Sequence, residues 1–358
     1  MAFTHLRELV ELAQSRGVQI SRVMLDVEVE QSGATEQEIF DKMAYQFDIM
    51  EEAVRKGTNE PVQSRSGITG GDGHRMYEYV KKGQSFIDPS ALSAMAYALS
   101  VSEVNSAMGR IVATPTAGSA GILPGVLVSV LDSGRYKRED IVMSLMTAAA
   151  IGLVIANSAS ISGAAGGCQA EVGSATAMAA GALVELADGT PEQVTHAVGL
   201  ALKNSLGLVC DPVAGLVEIP CIVRNGLHSI TALAAADMAL AGVRSIIPPD
   251  EVIAAMYRIG NELPLSLRET GIGGLAGTPT GKAIRERVFG RVTGTDVGAS
   301  AGVQACRTRA VHVPETTVQD HLEPATLQDH PAGKETVTDE VREADTGQEQ
   351  PREGQTTI

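Results

Sequence analysis

The sequence predicts a mainly α protein: a compact multi-helix domain over residues 1–290 whose Gly/Pro-rich loops form the site, followed by a disordered acidic tail over 291–358. Three observations predict it. Capped segments with helical spacing of apolar residues recur through the first 290 positions. Aromatic content is only 3% with no Trp, so the core must come from small side chains that let helices approach closely. Strand signals, by contrast, are few.

"MAFTHLRELVELAQSRG" reads as an amphipathic helix; it lacks the basic and then apolar regions of a secretory leader. "VQISRVMLDVEVEQSG" alternates in part and is the best strand candidate. Thr35 and Glu38 form a capping box ahead of a helix with Ile39, Met43, Phe47 and Met50 on one face and Gly57 at its end. Asp88-Pro89 starts the next helix, with Pro in the first turn where its missing N–H costs nothing. "GRIVATPTAGSAG" begins like a second strand before turn residues take over. Residues 138–158 read as a buried helix, and Cys168 opens a small-residue helix that ends near Gly189. Thr190-Pro191 with Gln193 caps another, and two more follow Pro220 and Pro249.

The formal net charge of −15 leaves no basic stripe for phosphate, so nucleic acid is not expected as a partner. Residues 141–170 carry no charge, but the apolar part is shorter than the ~20 residues a membrane span needs, so it reads as core. Residues 301–358 hold eleven acidic and five basic residues, a net of −6, and no Phe, Tyr or Trp. Such a composition cannot bury enough apolar area to offset its ordering entropy. The expected compartment is the cytoplasm, where stable disulfides are rare and cysteines more often bind metal or do chemistry.

Four loops dense in Gly, Ser, Thr and Pro separate the helices: 63–76, 113–125, 160–168 and 210–221. Helix connections usually need only a few residues, so these loops point to a site. Of four cysteines, Cys168, Cys210 and Cys221 fall in or beside them, while Cys306 lies in the tail and reads as an exposed unpaired thiol. Core packing, a disulfide and metal ligation are the competing readings. Placement at turns and first helical positions favours ligands, because free N–H groups at a helix start stabilise a thiolate. Zinc usually wants a CxxC pair or a nearby His, and neither is present. An iron–sulfur cluster tolerates wide spacing, and three thiolates on a cubane leave one iron open as a Lewis acid.

"GGCQAEVGSATAMAAGALVEL" and "CDPVAGLVEIPCIVRN" resemble the signature of the iron–sulfur-dependent L-serine dehydratases (L-serine ammonia-lyases), in their alpha chain or C-terminal domain. "RSGITGGDGHRM", "NSAMGRIVATPTAGSAGILPG" and "GLAGTPTGKAI" are similar to further blocks in the same order, over roughly residues 60–290. The resemblance implies a 4Fe–4S cluster held by Cys168, Cys210 and Cys221, and conversion of L-serine to pyruvate and ammonia. It also implies a beta chain, or homo-oligomerisation. A Ser-Ser-His-Thr stretch that the family carries in its beta part does not occur here.

Serine dehydration removes a weakly acidic α-proton and expels hydroxide, which calls for a general base and a Lewis acid. Thr69, Gly70 and Gly71 in the first loop, and Thr116, Ser119 and Gly121 in the second, are the candidates for holding the substrate. Asp72, His74 and Ser119 are the catalytic candidates. Within the same resemblance an L-cysteine desulfidase is the related alternative, and outside enzymes a cluster-binding regulator. A pyridoxal phosphate enzyme would need a Schiff-base Lys, and Lys203 sits mid-helix. "GTPTGKA" departs from a P-loop in spacing and at Ala276 and Ala283, and no strand precedes "GIGGLA".

Overall fold

The computed structural model describes residues 3–290; the tail and Cys306 lie outside the described residues. Thirteen α-helices and no strand occur among the described residues, with isolated bridges only at Gln63–Gly70 and Cys210–Arg268. The chain runs through α1 (Leu6–Arg16), α2 (Ile20–Ser32), α3 (Glu36–Asn59), α4 (Asp72–Val80), α5 (Pro89–Ser106), α6 (Ile122–Asp132) and α7 (Arg138–Ser158). It continues through the single turn α8 (Gly163–Gly166), then α9 (Ser174–Leu186), α10 (Pro191–Lys203), α11 (Cys221–Leu240), α12 (Pro249–Glu262) and α13 (Pro279–Phe289).

Local signals set most helix starts. Thr35 accepts from Glu38 N and Glu38 answers at the Thr35 backbone; Thr190 and Gln193 do the same for α10. The segment expected as a strand over 18–33 is instead α2. Its buried Ile20, Val23, Met24 and Val27 also fit helical spacing, and its start is held from far away. The buried Glu185 carboxylate of α9 accepts from Ile20 N at 2.9 Å and Ser21 N at 3.1 Å. That cap supplies what the local sequence lacks, so tertiary context decides over the strand propensity of its Val and Ile residues. Residues 109–116 form no strand either; they lead irregularly into a 3₁₀ turn at Ala117–Ser119.

α9 lies inside the helical core, with every residue from Ser174 to Leu186 buried. It packs against α7, α10 and α11, while α5 packs against α3, α4, α6 and α11. α7 is long and apolar enough to cross a membrane by length and composition, yet 67% of its apolar window is buried inside the fold. Close approach between helices depends on missing side chains. A Cβ at Gly57 of α3 would lie 2.8 Å from both Cα and O of Ser100 on α5. Gly57→Ala is therefore expected to push α3 off α5 and destabilise the protein by roughly 1–3 kcal/mol, read as a lowered urea midpoint at unchanged m-value.

Candidate metal centre and substrate loops

Two loops and two helix starts build the centre. The chain reaches Cys168 through Gly167, at φ 78°, where a Cβ would lie 2.8 Å from Leu208 O. Cys168 does not open an ordinary α-helix as expected: a π-helical turn at Gln169–Gly173 follows it before α9. Such turns re-aim side chains and cluster at functional sites. Gln169, fully buried, clamps this turn: its amide donates to Gly166 O and Met256 O, and accepts from Gly207 N, each at 2.9 Å. Cys210 is held by its backbone, donating to Leu267 O at 2.9 Å and accepting from Glu269 N at 2.7 Å. Glu269 takes φ 62°, a left-handed conformation that costs a non-glycine residue free energy. Cys221 is the first residue of α11.

All three cysteines are free and buried. The sulfurs of Cys168 and Cys210 and a carboxylate oxygen of Glu171 lie within 4.8 Å of one another. The Cys168 sulfur is held below the ordinary thiol range, first by its hydrogen bond with Cys210 and then by the charge of Arg224, against the opposing cost of burial. Cys210 is pushed up by the same bond and by burial. At Cys221 burial dominates and raises the thiol, with the charge at Cys168 adding to it, so its place at a helix start does not make it a thiolate unaided. Buried thiols crowded together with no opposing metal charge behave this way. A divalent or cluster iron would reverse it, since coordination deprotonates a thiol outright. Two soft sulfurs that meet at one spot, with the free thiol of Cys221 near enough to feel the charge at Cys168, fit an iron–sulfur cluster or zinc and do not fit a hard oxygen-loving cation. The residues present therefore accept the 4Fe–4S group that the sequence resemblance implies.

Glu171 was not singled out from the sequence. Burial pushes its carboxyl up to about 7, opposed by the Thr116 hydroxyl, with the nearby Glu269 raising it further. Thr116 Oγ1 donates to Glu171 Oε1 at 2.7 Å, and Gly163 N also reaches the carboxylate. A Cβ at Gly163 would lie 2.4 Å from Glu171 Oε2 and 3.0 Å from the Cys210 sulfur, so the glycine leaves room for both groups.

The second loop is carried to the thiols by Glu171 and by Asn225. Asn225, one turn beyond Cys221, accepts from Gly121 N at 2.9 Å and donates to Gly118 O at 2.8 Å and to Cys221 O at 2.9 Å. Ser119 is fully buried and its hydroxyl turns back into its own loop, donating to Thr114 O at 3.2 Å. In the first loop Thr69 Oγ1 donates to Glu218 Oε2 at 2.7 Å, and Glu218 lies between Cys210 and Cys221. Each cysteine segment thus sends a buried Glu to a Thr of a Gly-rich loop. Gly70 and Gly71 follow Thr69; a Cβ at Gly70 would lie 2.6 Å from Val62 O.

Asp72 and His74 are placed otherwise than expected. Both belong to α4, not to a loop. The Asp72 carboxylate pairs with Arg75, and His74 Nδ1 bonds Thr58 O at 2.7 Å. The α4 start is fixed by the fully buried Glu103, whose oxygens accept from Asp72 N at 2.6 Å and Gly73 N at 3.1 Å. Neither side chain shares a partner with the thiols.

Residues 15–276 match the family described as serine dehydratase alpha chain, starting well before the blocks read from the sequence. The chain is 52% identical over 299 residues to the probable L-serine dehydratase alpha chain of Bacillus subtilis (strain 168), covering 84% of this chain and 99% of that one. It is 46% identical over 279 residues to the L-serine dehydratase alpha chain of Peptoniphilus asaccharolyticus, 78% of this chain and 96% of the relative. The longer L-serine dehydratase of Streptomyces coelicolor is 42% identical over 277 residues, which is 75% of this chain but 59% of that protein. With its buried thiols, its paired loops and these near full-length likenesses, the chain belongs to the serine dehydratase alpha chain family.

Proposed function

We propose that this chain is the cluster-bearing chain of an L-serine dehydratase, a carbon–nitrogen lyase that converts L-serine to pyruvate and ammonia. The observation that carries the reading is the meeting of the free, buried Cys168 and Cys210 thiols with Glu171, with the free, buried Cys221 thiol close enough to feel their charge, in a member of this family. Cys168, Cys210 and Cys221 would hold a 4Fe–4S cluster. When bound, it supplies a Lewis-acidic iron that makes the β-hydroxyl a better leaving group.

The chain's own residues do the rest. Glu171, rather than Asp72 or His74, is the carboxylate poised to take the α-proton, because the fold puts it among the thiols. Loss of the α-proton and of hydroxide leaves aminoacrylate; its imine tautomer adds water and releases ammonia and pyruvate. Thr69 and Thr116 spend their single hydroxyl hydrogens on Glu218 and Glu171. Their remaining lone pairs suit an ammonium group, which leaves the substrate carboxylate to backbone N–H groups at Gly70 and the start of the 116–121 turn, since Gly71 N is spent on Val62 O and Gly121 N on Asn225. Ser119 then acts by shaping that turn, and Gly121 by its bond to Asn225.

A beta chain is the proposed partner, supported by the alpha-chain family and by the greater length of the Streptomyces relative. The proposed compartment is the cytoplasm, where unbridged thiols and a cluster persist. The test is anaerobic purification with and without a candidate beta chain, with iron, sulfide and pyruvate from L-serine measured together. Iron, sulfide and turnover are expected. Sulfide released from L-cysteine in preference would indicate the desulfidase, and a loaded cluster without turnover in either case would indicate a regulator.

A further inference from the structure

Arg224 lies three residues after Cys221 on α11 and ties the Cys168 and Cys210 segments to that helix. Its Nη1 donates to the Cys168 sulfur at 3.2 Å and to Val209 O at 2.8 Å. Its Nη2 donates to Asp211 Oδ1 at 3.0 Å, so it grips the residues on both sides of Cys210. Its own helix begins at Cys221. Asp211 is buried and Arg224 partly so, with side-chain exposure of 5% and 15%. Asp211 in turn accepts from Leu275 N at 2.8 Å, which fastens the 271–277 segment to the same knot. A guanidinium suits this task because its planar fork can serve three acceptors in fixed directions, which an ammonium on a flexible stem cannot.

A buried salt bridge is weak ground for stability, since the cost of desolvating both ions offsets much of their attraction. Its placement on a cysteine sulfur calls for another explanation. We infer that Arg224 is a positioning residue that sets the three thiols in register for metal and, through its hydrogen bond and charge at the Cys168 sulfur, raises the reduction potential of the cluster that binds there. The inference rests on the cluster assigned above. Asp211 moderates the effect by placing one negative charge beside the guanidinium. Hydrogen bonds to ligand sulfur and local net charge are the levers by which a protein tunes such a centre, and supporting residues of this kind typically govern metal affinity by 10–100-fold.

The two members of the pair give shifts of opposite sign, which a merely structural role would not. The full chain is reconstituted anaerobically with iron and sulfide, and the cluster's potential is followed by its spectrum during reductive titration. Arg224→Gln is expected to lower the potential and weaken iron retention against a chelator about 10–100-fold. Asp211→Asn, which keeps the side-chain shape, is expected to raise the potential. Arg224→Lys keeps the charge and loses the fork, so it retains a near-native potential and still sheds iron faster. If Arg224→Gln is folded yet matches the wild type in both potential and iron retention, the inference falls. It falls equally if Asp211→Asn shifts the potential downward, an arm that stands even where Arg224→Gln fails to fold. Wild-type protein that takes up no iron and sulfide would instead overturn the cluster assignment, which separates the two failures.

Discussion

Cys210→Ala is expected to abolish both iron–sulfur loading and pyruvate formation while the helical fold persists. The sulfur bonds Cys168 and lies beside Glu171, and its removal takes away one of the two sulfurs that meet there. The cost to the unliganded fold is modest, on the order of 1 kcal/mol, because the lost volume is one atom and the backbone bonds to Leu267 and Glu269 are untouched. Cys168→Ala and Cys221→Ala are expected to lose activity to the same floor. Pairs of these substitutions should cost no more than single ones, since ligands that act as one unit are not additive. Iron and sulfide assays, activity and far-UV circular dichroism on the same samples decide the matter. An alanine variant that retains full iron and turnover would remove that cysteine from the ligand set.

The fold was legible in the sequence wherever a short stretch settles its own structure. The boxes at Thr35 and Thr190 fix helix starts within four residues, and the uncharged part of α7, residues 141–158, has no stable place except the core. The cysteines stood out because they are scarce and sit beside turns. α2 was misread because its cap, Glu185, comes from 165 residues away. Glu171 and Arg224 were missed for a related reason: a Glu or Arg in a helical stretch ordinarily faces water. Each nevertheless follows a cysteine by three positions, the spacing that puts two side chains on one helix face. Glu171 is also the first charge after thirty uncharged residues, amid Ala and Gly too small to shield it. A charge with that company, one turn from a cysteine, was the available signal. Asp72 and His74 drew attention because they share a glycine-rich stretch, but the α4 start converts that stretch into a helix and turns both toward other partners.

Glu171→Gln is expected to lower kcat by about 10²–10⁴-fold with iron and sulfide content unchanged. Gln keeps the volume and can still accept from Thr116, so the second loop should hold its place. What it loses is the basic oxygen beside the thiols, and therefore the acceptor for the α-proton. Proton removal should then limit the variant, so an α-deuterium isotope effect on kcat should grow relative to the wild type. KM should move little, because the first loop, held by Thr69 on Glu218, is untouched. Glu171→Asp keeps the carboxylate but withdraws it by one methylene, and an intermediate rate is expected, since misplacement of about 1 Å can cost 10²-fold. Loss of iron in Glu171→Gln would make Glu171 a ligand instead of a base. A normal rate and isotope effect there, with a proton-transfer defect in His74→Gln, would return the role to the residues of α4.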